Sequence, residues 1–80
     1  MTIRILGSGC PNCHTLEQRV RQAIQQLGLT DVRVELVTDF LEFARYSILA
    51  TPGLVIDETV VSSGRVNTVD EIIGYLRERA

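Results

Sequence analysis

The stretch TIRILGSGCPNC, residues 2–13, decides the fold of this chain, because an apolar run leads directly into two cysteines at the start of a helix. The segment Thr2–Leu6 is rich in β-branched residues and predicts a short strand. A Gly-Ser-Gly step then breaks the strand, and Pro11 suits the first turn of a helix, where its missing N–H costs nothing. We therefore expect Cys10 just before the helix begins and Cys13 one turn inside it.

A long amphipathic pattern follows the cysteines. Apolar residues recur at three- and four-residue spacing from Cys13 to Leu27 and predict one buried helical stripe, and Gly28 supplies a helix end. Cys13 lies on this stripe, so we expect its thiol to face the core. The segment Val32–Val37 alternates apolar residues with Arg and Glu, which is typical of a strand with one polar face.

The second half of the chain predicts two helices with a hairpin between them. Each helix begins with a capping-box pattern, in which an acceptor side chain is followed three residues later by Glu. The capping pairs are Asp39 with Glu42 and Thr68 with Glu71. The predicted segments are a short helix that ends near residues 46–48, strands at Gly53–Ile56 and Thr59–Ser62, and a last helix with its apolar face at Val69, Ile72, Ile73 and Leu76.

Length and composition limit the class of protein. Eighty residues, of which 45% are hydrophobic, predict one globular domain at residues 1–80. The net charge is −2 and the basic residues are scattered, which argues against nucleic acid and anionic membranes as partners. No apolar run approaches the roughly 20 residues of a membrane span, and the first strand is too short for a signal peptide. We expect a monomeric, cytoplasmic protein.

Cys10 and Cys13 are the only cysteines in the sequence. A disulfide that closes so small a loop removes only about 2 kcal/mol of chain entropy, so a structural role explains the pair poorly. Reversible dithiol–disulfide chemistry explains it better, and metal capture is the main competitor. The unpaired N–H groups and the dipole at a helix N-terminus stabilise a thiolate. Position therefore predicts Cys10 as the accessible nucleophile and Cys13 as the shielded resolving thiol.

The neighbouring His14 adds three hypotheses. It lies four residues after Cys10, and an imidazolium on that face would stabilise the thiolate further. The pattern Cys-x-x-Cys-His also matches haem attachment, but only Met1 is available as a second axial ligand. Two thiolates and one histidine cannot close a four-ligand zinc site, so we expect no resident metal. A heavy-metal carrier with two open thiolates stays an alternative, because the first thirty residues resemble a heavy-metal-associated domain.

The order of elements resembles the thioredoxin superfamily, and most closely the small glutaredoxin-like thioredoxins of prokaryotes, also called redox-active disulfide proteins. The resemblance rests on Cys-x-x-Cys after the first strand, an intervening strand and helix, and Thr51-Pro52 before a hairpin and a last helix. It implies an α/β thioredoxin-like fold of order β-α-β-α-β-β-α, with a four-stranded mixed sheet flanked by three helices. The helical stretch at 39–46 and the Thr51-Pro52 step distinguish the chain from the heavy-metal-associated domain.

The resemblance also implies roles for residues outside the cysteines. In that superfamily the proline is cis and packs against the active disulfide, so Pro52 would shape the substrate groove. Thr51 would bind the backbone of an extended substrate peptide. Pro11 and Asn12, between the cysteines, would contact the substrate and tune the redox potential.

The implied activity is reduction of protein disulfides. The Cys10–Cys13 pair would carry the electrons without a further cofactor, and a thioredoxin-type reductase or a small thiol would return them. Common thioredoxins carry Trp where Gly9 stands and a buried acid on the first strand, whose only charge here is Arg4, so we expect solvent to accept the Cys13 proton. Ser63-Gly64 replaces the double glycine of a glutathione site. A glutathione-linked glutaredoxin stays an alternative.

Overall fold

The computed structural model describes residues 1–48 and 50–79 and confirms the predicted order of elements. The elements are β1 (Thr2–Leu6), α1 (Pro11–Leu27), β2 (Arg33–Val37), α2 (Phe40–Arg45), β3 (Gly53–Ile56), β4 (Thr59–Ser63) and α3 (Val69–Glu78). The fold is the expected α/β thioredoxin-like fold, with a four-stranded mixed sheet and three helices.

The sheet has the strand order β2-β1-β3-β4. Its register brings the loop that leads to Cys10 and the Thr51-Pro52 step to the same edge. Strand β1 runs parallel to β2, with Leu6 opposite Val37, so both strands end at the same edge. Strand β3 runs antiparallel to β1 and begins there, with Gly53 opposite Leu6. We call this edge, where Leu6, Val37 and Gly53 meet, the cysteine edge. The chain leaves it through Gly7 toward Cys10 and enters it from Thr51-Pro52.

Helices cover the two faces of the sheet unequally. Helices α1 and α3 cover one face and build the larger core, which comprises Ile3, Ile5, Leu16, Val20, Ala23, Leu54, Ile56, Ile72 and Leu76. The short helix α2 covers the other face, where its buried Phe43 packs with Leu6 and Val55. Phe40 and Leu41 of α2 are exposed. Phe43 therefore anchors α2 beneath the residue that leads into the cysteine loop.

Two details of the predicted elements differ from the structure. The alternation in β2 predicted one polar and one apolar face, but Leu36 on the apolar face is 37% exposed, because β2 is an edge strand that the helices cover only in part. Asp39 caps α2, but it does so by accepting a hydrogen bond from the N–H of Leu41. Glu42, expected to complete a capping box, bonds with Arg45 instead. The capping box of Thr68 and Glu71 at α3 is confirmed.

Asn67 is fully buried and ties the hairpin to two helices. Its side-chain oxygen accepts a hydrogen bond from Ser62 at 2.7 Å, and its amide nitrogen lies 3.5 Å from the hydroxyl of Tyr75. The backbone carbonyl oxygen of Asn67 accepts a hydrogen bond from the Arg19 side chain of α1 at 3.0 Å. The segment before α3 is thus held by hydrogen bonds from β4, α1 and α3.

We expect Asn67→Ala to lower the free energy of unfolding by about 1–3 kcal/mol, because the Ser62 hydroxyl loses its partner inside the fold. Urea unfolding measures this loss. Gln22→Ala, at an exposed position of α1, is the control and should change the stability by less than about 0.5 kcal/mol. Equal unfolding midpoints for the two variants would show that the buried amide does not hold the hairpin.

In the described part of the chain, none of the helices has the length and apolar character needed to span a bilayer.

Candidate active site

The cysteine loop presents Cys10 at the first turn of α1. Cys10 is the N-cap residue in an extended conformation, with φ −69° and ψ 165°, and Pro11 follows at the first helical position. Gly9 precedes it at φ +83°, in the left-handed region that favours glycine. Cys10 is half-buried, while Cys13, one turn later, is fully buried. This confirms the difference in exposure predicted from the positions of the two cysteines relative to the helix start.

The two cysteines are free thiols whose sulfur atoms lie 2.6 Å apart, and either can act as the hydrogen-bond donor. The pKa of Cys10 is lowered, first by the hydrogen bond from the Cys13 thiol and then by the backbone N–H groups of Cys13 and Asn12. The Cys10 side chain forms no capping hydrogen bond as a thiol, so these amides act mainly on its charged form. Cys10 is therefore the thiol that ionises first.

Cys13 shows the opposite behaviour. Burial raises the pKa of its thiol, and the hydrogen bond to Cys10 raises it further. A proton thus stays on Cys13 while Cys10 carries the negative charge. The arrangement joins an accessible, easily ionised sulfur to a buried, protonated one within reach of it.

The Thr51-Pro52 step lies on the same edge of the sheet as the cysteine loop. Its peptide bond is cis. Pro52 is buried and its carbonyl oxygen accepts a hydrogen bond from the N–H of Gly64 at 2.9 Å, whereas Thr51 is exposed. The buried proline thus leaves the residue before it open to a binding partner.

The other candidate residues lie on the solvent side of the loop. Pro11 and Asn12 are exposed between the two cysteines. His14 is exposed as well, and its backbone N–H donates to the carbonyl oxygen of Cys10 at 3.1 Å. Within residues 1–48 and 50–79, its ring forms no hydrogen bond with either thiol.

Arg4 takes no part in the dithiol site, because its side chain lies on the other face of the sheet. Its side chain points to the α2 face of the sheet, where it forms ion pairs with Glu35 and Glu58 and donates to the hydroxyl of Tyr46 at 2.7 Å. Helix α1 covers the opposite face of β1. The strand's only charge therefore links β1, β2, α2 and the β3–β4 turn, and it leaves the Cys13 proton to another acceptor.

The sequence reasoning treated Gly7 only as part of a strand break and missed its contact with the site. A Cβ atom placed on Gly7 would overlap the sulfur of Cys13. The sequence carried no signal for this contact, because a glycine that makes room for a neighbouring side chain cannot be distinguished in the sequence from a glycine that permits a turn. Among the described residues, no group of three or more His, Cys, Asp or Glu side chains is arranged to hold a metal ion.

Comparison with known proteins places this geometry in a family. The thioredoxin domain family matches residues 1–77. This chain belongs to the thioredoxin family. A thioredoxin of Methanocaldococcus jannaschii is 38% identical over 72 residues, which cover 90% of this chain and 81% of the relative. A thioredoxin of Methanothermobacter thermautotrophicus is 36% identical over 72 residues, which cover 90% of this chain and 92% of the relative. As a member of this family, the chain is a thiol–disulfide oxidoreductase.

Proposed function

We propose that this protein reduces disulfides in other proteins through the dithiol of Cys10-Pro11-Asn12-Cys13. The observation that carries the proposal is the opposite perturbation of two sulfurs 2.6 Å apart, one accessible with a lowered pKa and one buried with a raised pKa. A catalytic pair of thiols needs this difference in pKa and accessibility, because the attacking sulfur must be a thiolate in reach of the substrate. The family membership supports the same reaction type.

The reaction takes two exchanges. The Cys10 thiolate attacks one sulfur of the substrate disulfide, the substrate S–S bond breaks, and the second substrate sulfur leaves as a thiolate and takes a proton. Cys13 then loses its proton to solvent and attacks the Cys10 sulfur in the mixed disulfide. The S–S bond to the substrate breaks, the first substrate sulfur leaves and is protonated, and a Cys10–Cys13 disulfide forms. The substrate gains two electrons and two protons, and the protein dithiol loses them.

The exposed part of the cysteine edge is proposed to hold the substrate. Thr51 is exposed beside the cysteine loop, where an extended peptide segment can pair with its backbone in the manner of strand addition. Pro52 shapes the floor beneath it, and the exposed Pro11 and Asn12 provide further contact on the helix side. Because such contacts use mainly backbone, they suit many protein substrates.

The cycle closes when an external donor reduces the Cys10–Cys13 disulfide. We propose a thioredoxin-type reductase or a small thiol as the donor, and the cysteine pair itself as the only electron carrier. A net reducing role fits the cytoplasmic compartment expected from the sequence. His14, whose ring forms no hydrogen bond with either thiol among the described residues, is proposed to modulate the Cys10 thiolate at most indirectly.

An insulin reduction assay with two alternative electron sources tests the proposal. We expect turnover with dithiothreitol, without any requirement for glutathione, because the accessible Cys10 thiolate reacts directly with protein disulfides. Activity that appears only with glutathione would contradict this and favour the glutaredoxin alternative. A protein that binds one Cu(I) or Zn(II) per chain on gel filtration, with no insulin reduction, would overturn the proposal in favour of a metal carrier.

A further inference from the structure

Strand β1 leads into the cysteine loop through Gly7, a buried residue whose N–H donates to the carbonyl oxygen of Val37 at 2.9 Å. We infer that Gly7 is a positioning residue for Cys13, because its missing side chain leaves the space that the Cys13 sulfur needs in order to reach Cys10. The inference rests on the proposed dithiol function. It assigns a role in the second exchange to a residue without a side chain.

The position that a side chain on Gly7 would take is occupied by Cys13. An ideal Cβ on Gly7 would meet the Cys13 sulfur at a distance that two non-bonded atoms do not adopt, and it would lie 3.3 Å from the Cys13 Cβ. With the chain neighbours Leu6 and Ser8 set aside, these are the only heavy atoms within 4 Å of that Cβ among the described residues. Glycine is therefore needed at position 7 because it leaves room for the Cys13 sulfur.

Backbone conformation does not explain the glycine. Gly9 and Gly28 have positive φ angles and open space around them, so their backbones favour glycine. Gly7 lies outside that range of φ, and an alanine could adopt its backbone conformation without strain. This contrast separates Gly7 from Gly9 and Gly28, whose positive φ angles alone favour glycine.

The overlap can be relieved mainly by moving Cys13. The Gly7 backbone is fixed by its hydrogen bond to Val37 and by the fully buried Leu6 that precedes it. Cys13 is also fully buried, so rotation of its side chain moves the sulfur into occupied space. Rotation also leaves the close approach of the two Cβ atoms unrelieved, which requires a shift of the first turn of α1. Either movement changes the position of the Cys13 sulfur relative to the Cys10 sulfur.

We expect a side chain at position 7 to affect the second exchange alone. No atom of Cys10 is among the heavy atoms within 4 Å of a Cβ placed on Gly7, so the attack of Cys10 on a substrate disulfide should be preserved. The Cys13 sulfur must then attack Cys10 within the mixed disulfide, and this step depends on the distance between the two sulfurs. A side chain at position 7 should slow this resolution and weaken the Cys10–Cys13 disulfide relative to the dithiol.

Redox titration of Gly7→Ala against a dithiothreitol buffer tests the inference. We expect the equilibrium constant for forming the Cys10–Cys13 disulfide to fall by about tenfold or more, which makes the potential about 30 mV less negative. The initial rate of Cys10 attack on dithionitrobenzoate should stay within about twofold of the wild type. Gly74→Ala, on the exposed side of α3 with open space around it, is the matched control and should leave both quantities unchanged.

A double-mutant cycle on stability tests the contact itself and covers the case in which Gly7→Ala folds poorly. Removing the Cys13 sulfur removes the main overlap, so Gly7→Ala should lower the urea midpoint less than half as much in a Cys13→Ala background as in the wild type. An unchanged potential, or equal midpoint shifts in the two backgrounds, would overturn the inference. If the wild type itself failed to reduce insulin, the proposed function would fall, while the disulfide equilibrium and the cycle would still report on Gly7.

Discussion

Cys10→Ser is expected to abolish insulin reduction, with a loss on the order of 10³-fold or more, because the hydroxyl cannot replace a thiolate as the attacking group. Cys13→Ser is expected to keep the first exchange and to stop after it. Without a resolving thiol, the mixed disulfide between Cys10 and the substrate accumulates. Turbidity measures the turnover, and intact mass spectrometry under non-reducing conditions detects the trapped adduct.

The variant with both cysteines replaced by serine is the control for this experiment. It should show neither turnover nor an adduct, so any signal that persists in it comes from the assay. The buried position of Cys13 makes the two single variants differ, because Cys13 cannot take over the attack in Cys10→Ser. An adduct of equal yield on either remaining cysteine, or full turnover in both single variants, would be incompatible with separate roles for the two thiols.

Phe43→Ala is expected to lower the free energy of unfolding by about 3–5 kcal/mol, which is a large share of the roughly 5–15 kcal/mol of a typical domain. Phe43 is the buried residue by which α2 packs on the sheet, and it contacts Leu6 at the end of β1. Its loss should detach α2 and loosen the strand that leads to the cysteine loop. Urea unfolding gives the stability change, and amide hydrogen exchange shows whether α2 opens first.

Phe40→Ala is the matched control, since Phe40 is 74% exposed on the same helix. Its ring stacks edge-on against Phe43 with centroids 5.4 Å apart, so we expect a loss of no more than about 1 kcal/mol. Similar losses for the two variants would mean that α2 is not anchored through Phe43.

Local chemistry explains which parts of the site could be predicted. The order strand, Gly-Ser-Gly, Cys10 and Pro11 specifies a strand end followed by a helix start, so the exposure of Cys10 and the burial of Cys13 could be deduced from spacing alone. Thr68 with Glu71 fixed the start of α3 in the same way, because both partners of the capping box lie within one turn.

The features that sequence reasoning missed depend on contacts between distant segments. Leu36 fits the pattern of a buried strand residue, but an edge strand is covered only as far as the helices reach, which alternation cannot show. Glu42 can bond with Arg45 as readily as with the backbone, so the capping box at α2 was a wrong prediction. Gly7 meets Cys13 only because β1 and α1 pack side by side, and a residue without a side chain gives no pattern to read.

Alkylation by iodoacetamide at graded pH tests most directly whether the folded site, through the Cys13 thiol and the amides at the start of α1, holds Cys10 as a thiolate. Alkylation requires the thiolate, whose fraction rises with pH through the pKa. The lowered pKa of Cys10 should therefore move its rate profile to lower pH than that of the same chain unfolded in urea, and the raised pKa of Cys13 should move its profile to higher pH. Fragment-ion mass spectrometry assigns each modification to one cysteine. We expect two separated profiles on either side of the unfolded reference; two profiles that coincide with that reference would contradict the division of roles between Cys10 and Cys13.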